Sequence, residues 1–70
     1  MSNITAKQIV TAPAFIETAL PEAIRLVAKT NGQPVQKTIE VYRAGVPNVI
    51  RSIEELMMGA AEETAKRMNA

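Results

Sequence analysis

The run PNVIRSIEELMMGAAEETAKRM, residues 47–68, decides the fold. Pro47 opens it, and no later proline interrupts it. A proline in a first helical turn costs nothing, because the N–H it lacks would have no partner there. Val46, Ile50, Ile53, Met57, Ala60 and Thr64 recur at gaps of four and three, the seam of an amphipathic helix. A second row, Val49, Ile53, Leu56 and Ala60, flanks that seam. At 1.5 Å per residue such a helix is about 33 Å long. A compact chain of this length has a radius of gyration of about 11 Å, so part of the helix is expected to reach past its own core.

The seam degrades along its length. It is branched up to Leu56 and small-sided after Gly59, with Met57-Met58-Gly59 as the changeover. Small residues permit close backbone approach, and methionines adapt to irregular surfaces. Adjacent helical positions lie about 100° apart, so Met57 and Met58 do not share one small core. The half from Gly59 to Met68 therefore reads as a contact surface for a second copy or another protein. Its expected interface residues are Met57, Met58, Ala60, Ala61, Thr64, Ala65 and Met68. The plainer alternative for the methionines is gap filling in the chain's own core.

Upstream, proline and glycine punctuate shorter helices. Thr5 caps a helix over Ala6–Val10. Thr11-Ala12-Pro13 starts a second, running to about Thr30. Its apolar stripe is Ile16, Ala19, Leu20, Ala23, Ile24 and Val27. Pro21 lies inside it, so residues 12–30 form either one kinked helix or two. The spacing favours a split, with Thr18 capping the second piece. Asn31-Gly32 ends this stretch, Pro34 opens a third helix to Ala44, and Gly45 closes that one. The expected core is Ile16, Leu20, Ile24, Val27, Val35, Ile39, Tyr42, Ile50 and Ile53. Residues 1–3 and 69–70 are expected to fray.

The expected fold class is thus all-α, a single domain over residues 1–70. Three to four helices pack on a long C-terminal amphipathic one. Composition agrees. Apolar residues are 47% of the chain, drawn from Ala, Ile, Val, Leu and Met, with one Phe, one Tyr and no Trp. Strands favour the aromatics that are missing here. A chain of 70 residues buries only about 60% of its unfolded surface, which leaves a lone core marginal. Without cysteine or histidine there is no disulfide and no zinc site to staple it. Good helix packing or self-association remains.

The same absences bear on function. There is no imidazole base, no thiolate and no Asp, so every carboxylate is a Glu. The pairs Glu54-Glu55 and Glu62-Glu63 sit opposite the apolar stripe and read as solvated surface. Gly32, Gly45 and Gly59 are isolated, which is not the pattern of a phosphate loop. The chain is expected to be no enzyme and to use no cofactor, metal or small-molecule substrate. No apolar run reaches the roughly 18 residues of a membrane span. No secretory signal pattern opens the chain, and a cytoplasmic location is expected.

Net charge is +1, but it is unevenly spread. Arg25, Lys29, Lys37, Arg43 and Arg51 face only Glu40 in the middle, while glutamates dominate after Ser52. The plain reading is ordinary solvated helix faces. A second reading uses the third helix, the Gly45-Val46 turn and the start of the long helix (34–44 and 47–58) as a helix-turn-helix DNA-binding unit. Asn48 and Arg51, with Ser52 nearby, would then read bases, and Lys37 and Arg43 would reach phosphates. The leading expectation is a self-associating protein-interaction or assembly module, of the size common among phage and bacterial accessory proteins. Its expected partner is a copy of itself or another protein.

Overall fold

The structure is a computed structural model that describes residues 3–70. Four helices make up the fold: α1 (Ala6–Val10), α2 (Pro13–Thr30), α3 (Val35–Arg43) and α4 (Pro47–Met68). The bundle is all-α, with the long C-terminal helix as its spine.

Local chemistry sets each boundary. Thr5 caps α1 through a capping box: Gln8 N–H donates to Thr5 Oγ1 at 3.2 Å, and Thr5 N–H donates to Gln8 Oε1 at 2.9 Å. Thr11 does not cap α2. Its hydroxyl turns back and donates to the carbonyls of Lys7 and Gln8, closing α1 instead. Ala12 occupies the cap of α2 without a side-chain bond, and Pro13 supplies the first turn.

Residues 13–30 are one helix, which corrects the expected split. Thr18 behaves as an interior residue, its hydroxyl donating to the carbonyl of Ala14. Pro21 is exposed, so the hydrogen bond it removes lies on the solvent side. On the other side Ala23, Ile24 and Val27 are buried, and Ile16 and Leu20 pack against the same cluster. A break would rotate these two sets apart, and their shared burial holds the helix through the proline.

Two Schellman turns end α2 and α3. Gln33 N–H donates to Ala28 O at 2.9 Å around Gly32 at φ 62°. Val46 N–H donates to Val41 O at 3.2 Å around Gly45 at φ 80°. Both glycines occupy the left-handed region, where any Cβ is strained.

Helix α3 differs from expectation in its inward face. Pro34 is its cap, and its first residue, Val35, is 42% exposed rather than core. Thr38 takes the buried position instead, its hydroxyl turned toward the carbonyl of Pro34 within the same helix. Ile39 and Tyr42 pack on the core edge as expected.

Along α4 the buried row is Ile53, Met57, Ala61 and Ala65, every fourth residue. This replaces the expected alternation through Ala60 and Thr64, and it is the spacing of a ridge that seats in a neighbouring groove. The first part of the row meets Ala23, Ile24 and Val27 of α2. The second part meets Ile9 of α1. The C-terminal half of α4 is therefore covered by its own chain. Ala61 and Ala65 are small enough to let α1 approach, and a helix of five residues has no stability of its own without such a surface.

The result is a rod of 43 × 19 × 19 Å with a radius of gyration of 13.2 Å. It exceeds the compact estimate because α1 and α3 sit at opposite ends of the spine. The C-terminal end is tied down rather than frayed. Asn69 Nδ2 donates to Ile4 O at 2.7 Å, and Ile4 N–H donates to Asn69 Oδ1 at 3.1 Å. Of the expected N-terminal fraying, residues 1 and 2 lie outside the described residues.

Candidate interaction surface

The expected interface residues fall into two groups. Met57, Ala61 and Ala65 point inward, packed in the chain's own core, which removes them from any partner surface. Met58 and Met68 are 38% and 58% exposed, Ala60 is exposed and Thr64 half-buried. Thr64 spends its hydroxyl on the carbonyl of Ala60. Met57 and Met58 do diverge, one into the core and one toward solvent.

The larger exposed aliphatics lie elsewhere, on the seam between α2 and α4. Leu26 is 44% exposed and Leu56 is 40% exposed. They line one hollow together with Ala19 and Ala60. A second hollow continues past Leu56 to Thr30 and Ser52. As these hollows run from Ala19 through Leu26 to Thr30 on α2, they run from Ala60 through Leu56 to Ser52 on α4, so the two helices are antiparallel. On the opposite side, Ile16, Leu20, Tyr42 and Met58 line another apolar hollow, with Glu54 at its edge.

Leu56 was expected only as a flank of the core. Leu26 was missed, although it stands off the stripe formed by Ile24 and Val27, and that displacement is the signal. An isolated exposed leucine is unremarkable, whereas two from different helices meeting over small residues form a surface.

Charge follows the length of the rod. The end built from α3, the last turns of α2 and the start of α4 carries Arg25, Lys29, Lys37, Arg43 and Arg51. The remainder of α4 carries Glu54, Glu55, Glu62 and Glu63 ahead of Lys66 and Arg67. Arg25 pairs with Glu22 one turn earlier on α2. All seven carboxylate side chains are exposed.

Lys37, Arg43, Asn48, Arg51 and Ser52 are all exposed. The Gly45-Val46 turn brings α3 and the start of α4 together, but Ser52 donates its hydroxyl to the carbonyl of Asn48 at 2.9 Å. Lys37 borders a hollow with Asn31, Thr38 and Val49, on the side where α2 ends. Among the described residues, no helix is long and apolar enough to cross a membrane. No family model matches this sequence, no characterised protein matches it, and no solved structure matches it.

Proposed function

We propose that this chain is a non-enzymatic helical interaction module that works by association, with the α2–α4 seam as its contact face. The carrying observation is the pair Leu26 and Leu56, both about two-fifths exposed while Ile53 beside them is fully buried. Neither belongs to the buried cluster around Ile53, and a large part of each side chain is left to water. A catalytic role finds less support, because all seven glutamates are exposed and none lies in an enclosed cleft.

The test is sedimentation velocity from low to high micromolar concentration, on the native chain and on Leu26→Ser/Leu56→Ser. The native chain should associate, and the double variant should stay monomeric with unchanged helicity. A native chain that stays monomeric throughout and retains no protein partner defeats the reading.

The exposed basic set around the Gly45 turn favours a second reading, in which α3 and the start of α4 hold DNA. Retention on DNA that strengthens as salt falls and weakens in Arg51→Ala would support it. Absence of binding at low salt would end it.

A further inference from the structure

We infer that α1 and the segment before it form a strap over the small-sided half of α4, which opens as one unit while α2, α3 and the first half of α4 stay packed. The inference goes beyond the proposed contact face and does not depend on it.

Strap and body have separate cores. Ala23, Ile24, Val27, Ile53 and Met57 form one buried cluster, shared by α2 and α4. Ile9 closes on Ala61 and Ala65 in another. Helix α1 lies against α4 and α2 and does not reach α3. Ile9 is its single buried residue. Val10 and Phe15 border both clusters and mark the line along which strap and body part.

Polar bonding divides at the same line. The capping box of Thr5 and Gln8 and both bonds of the Thr11 hydroxyl stay within residues 5–11. Among the described residues, Asn69 alone ties the strap to α4 by side-chain hydrogen bonds, through Ile4, and that clasp is exposed. Lifting the strap therefore gives two exposed hydrogen bonds over to water, a small net loss.

Helix α2 lends α1 no support. Pro13 holds Ala12 extended, at φ −75° and ψ 128°, so the two helices do not run on into one. Five residues are too few to stay helical without a surface to lie on. Once Ile9 leaves Ala61, all of α1 loses its reason for order, so the strap opens as a whole. It uncovers the second half of the buried row on α4, where Ala61 is 0% exposed and Ala65 is 9% exposed. Those are among the small residues that the sequence marks as a contact surface, and α1 gates access to them.

The chain has no cysteine, so one introduced thiol reads the opening. The full chain is compared as Ala61→Cys and as Ala23→Cys, each treated with a thiol reagent in rising urea below the unfolding transition. Ala61→Cys should react at least about tenfold faster in dilute buffer, at a rate that hardly changes with urea, because lifting a short strap exposes little surface. Ala23→Cys should speed up steeply with urea, since it reacts only on global unfolding. Asn69→Ala should speed Ala61→Cys by about two- to tenfold. Amide exchange of the unsubstituted chain gives the same reading without an added sulfur. Ile9 and Ala12 should share one opening constant, weakly dependent on urea and well above that of Ile24 and Val27. Equal exchange and equal urea dependence in the two sets would make α1 part of one cooperative core and overturn the strap. Fast amides at Ile9 and Ala12 with Ala61→Cys as slow as Ala23→Cys would mean that α1 frays in place, which overturns the gate.

Discussion

The side-chain amide of Asn69 and the backbone of Ile4 form a two-point hydrogen bond, at 2.7 and 3.1 Å, across 65 residues of sequence. It joins the segment before α1 to the residue that caps the end of α4. Helix α1 is thus held at one edge by this clasp and along its inner side by Ile9 on Ala61 and Ala65.

Asn69→Ala should lower stability by about 0.5–1.5 kcal/mol, toward the low end because the clasp is exposed. Amide exchange within α1 should quicken more than exchange within α2. Asn69→Asp sets a carboxylate against the carbonyl of Ile4 and at the C-terminal end of α4, so thermal denaturation should place it at or below Asn69→Ala.

Ile9 is 8% exposed and Ala61 fully buried. Ile9→Ala should cost about 2–3 kcal/mol through lost burial and the cavity left behind. Ala61→Leu should displace α1 by overpacking. Proteolysis within the first ten residues, slow in the native chain, should become fast in both.

Gly59 faces open space, whereas Gly32 and Gly45 sit at φ 62° and 80°. Gly59→Ala should raise monomer stability by about 1 kcal/mol through helix propensity. Gly32→Ala and Gly45→Ala should lower it by at least about 0.5–1 kcal/mol through left-handed strain. Denaturant melts at dilute concentration separate the two signs.

Pro21→Ala should stabilise the chain by about 1 kcal/mol or more, since α2 is continuous and a backbone hydrogen bond is regained. Had a new helix begun at Thr18, the same substitution would bring no gain. Thermal melts and helicity by circular dichroism distinguish the two cases.

Much of the backbone was legible in the residues. The cap at Thr5, the stops at Gly32 and Gly45 and the bounds of α4 at Pro47 and Met68 all follow from steric and hydrogen-bonding rules. Those rules act within four or five residues, so they need no knowledge of the fold. The candidate surface was less legible. Met58, Ala60 and Met68 are outward as expected, but Met57, Ala61 and Ala65 are interior, and Leu26 was not foreseen.

What the sequence determined by itself was four helices and an apolar stripe on each long one. A stripe says which side of a helix avoids water; it does not say which neighbour covers it. Tertiary structure made that choice. It laid α1 over the small-sided half of α4 and carried α2 straight through Pro21. It turned Thr38 inward in place of Val35, and it left Leu26 beside Leu56 in water. The physical reason is that each depends on how two helices meet, and side-chain packing across a helix pair is decided by shape and level along the rod, neither of which a single strand of periodicity contains.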